Sequence, residues 1–236
     1  MVDPKERLIF ALDVTTIKEA ERYVEELDGV VDFFKVGIVL YTITGPSFVQ
    51  NLISKGKKVF LDLKFYDIPE TVKEAVRRVS GLEVDFLTVH AQRQVMEAAV
   101  EGKKGTPLKV LAVTLLTSMD TSDVDNKSPE EIVLHRAVMA LECGCDGVVA
   151  SGREAGMIKK ETKGKLLVVC PGIRPKGLST EDHKRHITPY EAIKRGADYL
   201  VVGRPIKNAV SPRSAAISIL EEMKDAFQKI KKKGDK

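Results

Sequence analysis

The run Asp62-Leu63-Lys64-Phe65-Tyr66-Asp67-Ile68-Pro69-Glu70-Thr71 sets a carboxylate and an ammonium two residues apart, with a second carboxylate three residues further on. On a strand, Asp62 and Lys64 share one face while Leu63 points the other way. That pairing suits proton delivery by Lys64 beside a carboxylate, with charge holding both groups in place. No Ser–His or Cys–His nucleophile can be placed. The cluster also lacks the adjacent carboxylates or histidines that hold a divalent ion well. Asp13 and Lys35 stand at or near the ends of two other apolar runs and extend the set to four charges. A buried salt-bridge network is the alternative account. Buried pairs stabilise weakly once desolvation is counted, so four such charges at one rim make an inefficient structural device.

A second constellation points to an anion. In Val202-Gly203-Arg204-Pro205, the glycine admits close backbone approach, the arginine offers a guanidinium fork and the proline opens a short helix. Pro171-Gly172-Ile173-Arg174-Pro175 adds another guanidinium. A capped turn would also explain Gly-Arg-Pro. A phosphate on this side and the Lys–Asp–Lys cluster on the other together imply a phosphorylated small molecule lying between them.

Both constellations need elements that bring them together. Apolar β-rich runs occur at Leu8–Leu12, Phe33–Val36, Val59–Leu63, Phe86–Val89, Val110–Val113, Gly147–Ala150, Leu166–Val169 and Tyr199–Val202. Segments of helical periodicity lie between them, among them Ile17–Leu27, Pro46–Lys55, Pro69–Ser80, Pro129–Glu142 and Ser211–Ile230. Pro69, Pro129 and Pro212 suit helix starts, and Gly29, Gly56 and Gly196 suit helix stops. Eight apolar strands, each followed by a helical segment, predict an α/β protein: one (β/α)8 TIM-barrel domain over residues 1–236. Functional side chains of such a barrel stand at the C-terminal strand ends. Those positions are Asp13, Lys35, Asp62, Lys64, His90, Thr114 to Ser118, Ser151, Arg174 and Arg204. His90 there suits a site role or a packed histidine equally. The connection Pro171–Thr188 is long enough to be a binding loop. No internal sequence repeat is obvious.

Composition narrows the field. Hydrophobic residues make up 43% of the 236 and charged residues 31%, enough for a large core under a polar surface. The net charge of +4 is local, because Lys229, Lys231, Lys232, Lys233 and Lys236 crowd the C-terminus. A solvated helix end explains them better than nucleic acid or lipid. Only 6% of the chain is aromatic, against the interleaved aromatics that single-strand binders use. No apolar run approaches the ~18 residues of a membrane span, and Met1–Arg7 has no signal-peptide core, so a cytoplasmic protein is expected. Three cysteines make a poor disulfide framework, and Cys143-Gly144-Cys145 has no second ligand pair nearby for zinc.

The D-x-K-x-x-D-I-P-x-T run resembles the hallmark of the orotidine 5′-phosphate decarboxylase family. Phe10-Ala11-Leu12-Asp13, Phe34-Lys35-Val36-Gly37, Thr88-Val89-His90-Ala91, Leu116-Thr117-Ser118-Met119, Pro171-Gly172-Ile173-Arg174 and Val202-Gly203-Arg204-Pro205 match in order and span nearly the whole chain. The resemblance implies decarboxylation of orotidine 5′-phosphate to UMP, the last step of de novo pyrimidine nucleotide synthesis, without cofactor or metal. It implies that Lys64 protonates C6, that Asp62 sits beside the substrate carboxylate, and that Asp13 and Lys35 bind ribose hydroxyls. Arg174, Gly203 and Arg204 would bind phosphate, and Thr117 or Ser118 would contact the pyrimidine. Asp67 and Thr71 would reach the neighbouring subunit's site in a homodimer. His183 stands where the family often carries Gln, so phosphate binding should weaken above its pKa; a pH–KM profile unchanged by His183→Gln would sink that expectation. Two rivals are weighed. Sugar-phosphate decarboxylases of the same superfamily share D-x-K-x-x-D but use Mg²⁺ and an acidic ligand at strand two, where this chain has Lys35. A non-catalytic nucleotide-binding protein has no need of an intact Asp62–Lys64–Asp67.

Overall fold

The computed structural model describes residues 3–115, 128–175 and 187–234, with side chains to residue 230. Eight parallel strands close on themselves in sequence order: β1 (Leu8–Ala11), β2 (Phe33–Gly37), β3 (Lys58–Phe65), β4 (Phe86–His90), β5 (Lys109–Val113), β6 (Gly147–Val149), β7 (Leu167–Cys170) and β8 (Tyr199–Val202). Between and after them run α1 (Ile17–Glu26), α2 (Ile38–Ser54), α3 (Pro69–Ser80), α4 (Arg93–Gly102), α5 (Pro129–Glu142), α6 (Ala155–Glu161), α7 (Pro189–Lys194), α8 (Arg204–Lys207) and α9 (Pro212–Gly234). The predicted barrel is the observed one. Pro69, Pro129 and Pro212 each begin their helix, and Gly29, Gly56 and Gly196 take the positive φ of helix stops.

Period-two alternation explains the continuous apolar strands. Phe10, Phe34, Leu61 and Leu87 face outward into the layer shared with the helices, while Ile9, Phe33, Phe60, Phe86, Leu111, Val169 and Val201 form a separate inner cluster. Phe33, Phe86 and Tyr199 plug the interior with ring centroids 5.0 to 6.0 Å apart. Burying each large side chain contributes about 1.5–3 kcal/mol. The site grows from this interior face, two residues along each strand. Lys35 follows Phe33, Asp62 follows Phe60, Thr88 follows Phe86, Asp13 follows Ala11 and Gly203 follows Val201.

At the opposite end a repeat appears that the bare sequence does not advertise. Asp32, Asp85, Asp146 and Asp198 each immediately precede an even-numbered strand. The carboxylates of Asp85, Asp146 and Asp198 accept the backbone N–H groups of Val59, Val110 and Val168 at 2.9, 2.7 and 2.7 Å. Lys57, Lys103 and Lys159 in turn pair with Asp32, Asp146 and Asp198 at 2.5 to 2.6 Å. Asp85, Asp146 and Asp198 thus each latch their strand to the one before it, while Asp32 is tied instead to Lys57, just ahead of β3.

Helix α2 departs from expectation. The predicted helix Pro46–Lys55 is only its second half, because the chain is already helical from Ile38 and breaks at Gly45 (φ 59°, ψ −157°). Pro46 forces that break, since its ring disfavours helical backbone in the residue before it. The first half lacks an amphipathic stripe because it starts at the mouth of the barrel, where Ile38 and Val39 are 62% and 54% exposed.

Candidate active site

Four charges at the ends of β1, β2 and β3 form one chain of ion pairs. Lys35 Nζ lies 2.9 Å from Asp13 Oδ1 and 3.5 Å from Asp62 Oδ2, and Lys64 Nζ lies 2.8 Å from Asp62 Oδ1. The order Asp13–Lys35–Asp62–Lys64 therefore alternates in sign. Lys35 and Asp62 are the shielded middle, with side chains 11% and 14% exposed, and Lys64 is more open at 35%. Burial opposes ionisation of Asp62, but the attraction of Lys35 and Lys64, with hydrogen bonds from Lys64 and Thr88, outweighs it and holds the carboxyl below its ordinary range.

Strand β3 is irregular where it carries these groups. Leu61 pairs with Leu87 and Phe65 with Val89, so β3 gains two residues on β4. A shift of two preserves the alternation of faces: Leu61, Leu63 and Phe65 all pack on the outer layer, leaving Asp62 and Lys64 on the inner one. Lys64 takes φ 50°, a left-handed conformation uncommon outside glycine. Its N–H donates to Thr88 Oγ1 at 2.9 Å, and that hydroxyl donates to Asp62 Oδ1 at 2.9 Å.

The array lines one wall of a cavity of about 570 Å³ at the C-terminal ends of the strands. Val113, Leu115 and Val149, from β5, the residues after it and β6, give an apolar wall, while Arg174, Gly203 and Arg204 follow β7 and β8. Three sectors thus succeed one another around the mouth: charge array, apolar wall and guanidinium pair. Gly203 adjoins the array directly, a Cβ built there lying 3.4 Å from Ala11 Cβ and 3.6 Å from Asp13 Oδ2, both ordinary contacts. The connection after β7 is gathered at its ends by an Ile173–Ile187 bridge, with Arg174 N–H donating to Ile187 O at 2.9 Å.

The strand ends deliver this arrangement on a barrel that known proteins match over most of its length. A family model described as the orotidine 5′-phosphate decarboxylase / HUMPS family matches residues 6–219. The chain belongs to that family. It is 48% identical over 228 residues to the orotidine 5′-phosphate decarboxylase of Nitrobacter winogradskyi, covering 95% of each chain. Its identity to the enzyme of that name from Methylococcus capsulatus is 46% over 229 residues, covering 94% of this chain and 93% of the other. Among solved structures it is similar to the orotidine 5′-phosphate decarboxylase of Lactobacillus acidophilus, with 33% identity and a TM-score of 0.80 over 92% of this chain and 98% of that one. An uncharacterized conserved protein from Geobacillus kaustophilus matches at 36% identity and a TM-score of 0.78, over 92% and 99% of the two chains.

Within the hallmark run of the orotidine 5′-phosphate decarboxylase family, the structure separates residues that sequence leaves together. Asp62 and Lys64 line the cavity with Asp13, Lys35, Arg174, Gly203 and Arg204. Asp67 and Thr71 are exposed and stand outside its lining, Asp67 Oδ1 accepting the N–H of Ile68 at 2.7 Å. Thr117, Ser118 and His183 lie outside the described residues. His90 is half-buried against Tyr66, ring centroids 5.4 Å apart, and burial together with Lys64 and Arg136 pushes its pKa down, so it is neutral near pH 7. Sequence reasoning missed Thr88, the helix opening at Ile38, and Lys207, whose ammonium donates to Asp13 O at 2.9 Å. Period-two counting from Phe86 would have found Thr88. The cysteines offer no chemistry here: all three are buried, and burial pushes Cys145 up to about 12 and Cys170 higher still. Among the described residues no cluster of His, Cys, Asp or Glu could hold a metal ion, and no helix is long and apolar enough to cross a membrane.

Proposed function

We propose that this chain decarboxylates orotidine 5′-phosphate to UMP without a cofactor, with Lys64 as the proton donor to C6. The observation that carries this reading is the Asp13–Lys35–Asp62–Lys64 chain lining one cavity together with Arg174 and Arg204. The phosphate would lie by Gly203 and the two arginines, the ribose hydroxyls by Asp13 and Lys35, and the pyrimidine between the apolar wall and Lys64. The bond from C6 to the carboxylate carbon breaks, carbon dioxide leaves, and the electron pair stays on C6. A proton from Lys64 Nζ then completes the C6–H bond. Asp62 beside the substrate carboxylate would repel it by about 4 kcal/mol at ~4 Å and an effective dielectric near 20. Enzymatic accelerations require about 8 kcal/mol or more, so most of the effect falls to the Lys64 ammonium, preorganised where the negative charge develops.

Lys35 also separates this reading from the magnesium-dependent one. Its ammonium sits between Asp13 and Asp62, where a divalent ion bridging the two carboxylates would have to stand. Asp67 and Thr71, exposed and outside this cavity, would serve a neighbouring copy's site in a homodimer. Tyr66 and Ile68 beside them are 64% and 67% exposed and, with Ile38 and Val39 from the adjacent strand end, give that face the apolar character of an interface. Nucleotide synthesis of this kind goes with a cytoplasmic enzyme.

The test is the ultraviolet change as orotidine 5′-phosphate becomes UMP, with chelator present. Rapid conversion is expected, abolished in Lys64→Ala, while Arg204→Ala loses mainly kcat/KM through weaker phosphate binding. A folded wild-type chain that leaves the substrate intact, or a Lys64→Ala variant that keeps most activity, overturns the assignment.

A further inference from the structure

We infer that Thr88 is a positioning residue of the charge array: its hydroxyl fixes the carboxylate of Asp62 and the backbone of Lys64 in one geometry. The inference rests on the decarboxylase reading for its kinetic consequence, but its geometric part stands apart from it. Where β3 gains two residues on β4, the regular ladder of backbone hydrogen bonds is interrupted. An N–H left unpaired in such a place is costly, and a left-handed Lys64 persists only if its surroundings hold it there. Thr88 lies on β4 opposite the shift and is fully buried. Its oxygen accepts the Lys64 N–H at 2.9 Å, which leaves the hydroxyl proton to be donated to Asp62 Oδ1, also at 2.9 Å. Lys64 Nζ reaches the same Oδ1 at 2.8 Å. One hydroxyl thus closes a small ring through the strand: main chain of Lys64, Thr88, Asp62 carboxylate, side chain of Lys64.

The direction of donation matters. An ionised carboxylate can only accept, so the hydroxyl gives it its one proton while its oxygen accepts the Lys64 N–H, and Thr88 thereby favours ionised Asp62 without adding a charge. The other groups facing Asp62 are charged: Lys35 from β2 at 3.5 Å and Lys64 on its own strand. Asp13 from β1 stands beyond Lys35, and His90 from β4 adjoins Lys64. Arg174 and Arg204 line the same cavity from β7 and β8. Loss of the hydroxyl removes the sole neutral donor among the contacts described for Asp62 and frees the Lys64 backbone to relax. Lys64 Nζ then loses its aim at the reacting carbon, while the phosphate side of the cavity is untouched.

The experiment compares Thr88→Val, which keeps the branched shape without the hydroxyl, with Thr88→Ser, which restores it. Carbon-13 carboxyl NMR, assigned through Asp62→Asn, follows the titration of Asp62 with no need of turnover. Asp62 should titrate at higher pH in Thr88→Val than in wild type and return to wild-type behaviour in Thr88→Ser. With orotidine 5′-phosphate, Thr88→Val should lose about tenfold in kcat at a KM within about twofold, the scale of one lost hydrogen bond to a buried charge. An unchanged Asp62 titration, or a variant altered only in melting temperature, overturns the inference. If Thr88→Val does not fold, Thr88→Cys keeps a small side chain with a much weaker donor and carries the same comparison. A wild-type chain inert toward the substrate, with Asp62 still responding to Thr88→Val, would sink the functional reading and leave the positioning role standing.

Discussion

Asp62 is the residue on which the site turns, because among the described residues it is the one carboxylate that two lysines and a hydroxyl address together. Its folded pKa lies below the ordinary 3.8, so the folded chain binds this proton more weakly than the unfolded chain does. The stability it contributes is therefore present above pH 3.8 and is lost as pH falls through the lower folded value. Asp62→Asn should melt below wild type at pH 7, and the gap should close in acid; thermal melts from pH 7 down to pH 3 measure it. A constant gap would mean that packing, rather than charge, is what the substitution removes. The individual charges of this array were legible in sequence, since ionisable residues at the ends of apolar runs are out of place in a core. Their connections were not. That Lys35 is shared between Asp13 and Asp62 follows from barrel curvature, and that Thr88 serves both Asp62 and Lys64 follows from a register shift that no residue type announces.

Among the elements, the aspartates that open the even-numbered strands do for the barrel's closed end what the array does for its mouth. Asp146 and Asp198 have lysine partners at 2.5 and 2.6 Å. Asp85 instead has burial raising its pKa, against the Val59 N–H and the attraction of Lys58 and Lys109. Here the sign reverses: the folded chain holds the Asp85 proton more tightly, so stability falls as pH rises through the interval above 3.8. Asp85→Asn keeps an acceptor for the Val59 N–H and should melt above wild type at pH 7, each kcal/mol gained appearing as roughly 2–4 °C. The difference should vanish well below pH 3.8, and a variant that melts lower at every pH would refute the account. These latches escaped sequence reading because a single Asp before a strand is common. Only the structure shows that Asp85, Asp146 and Asp198 reach the preceding strand. The opening of α2 escaped for the opposite reason, since Ile38, Val39 and Ile43 are exposed while Leu40 is buried, so its apolar residues do not form one buried helical stripe.

For the whole molecule the open question is how many chains make one site. Alternation of strands and helices was enough to foresee the barrel, because apolar strands shielded on both faces have few other homes. An assembly is harder to read, since an exposed Ile68 or Tyr66 looks the same in sequence as a buried one. If Asp67 and Thr71 act across a dimer, Lys64→Ala and Asp67→Ala chains should each be nearly inactive alone. Mixed under conditions that let subunits exchange, they should recover about a quarter of wild-type activity, because random pairing gives half the dimers one intact site of two. Recovery absent despite demonstrated exchange would place Asp67 in its own chain's chemistry. Either result would also bear on Ile38 and Val39, which a partner at that face would cover.

The step of two residues between Leu61–Leu87 and Phe65–Val89 also limits how this strand can change through descent. Adding or deleting a single residue there would turn Asp62 or Lys64 into the oil between barrel and helices and bring a leucine to the mouth. A change by two leaves every later side chain facing as before. A one-residue insertion or deletion at the end of β3 should therefore abolish turnover in this chain, whereas a change by two should keep the array facing the mouth.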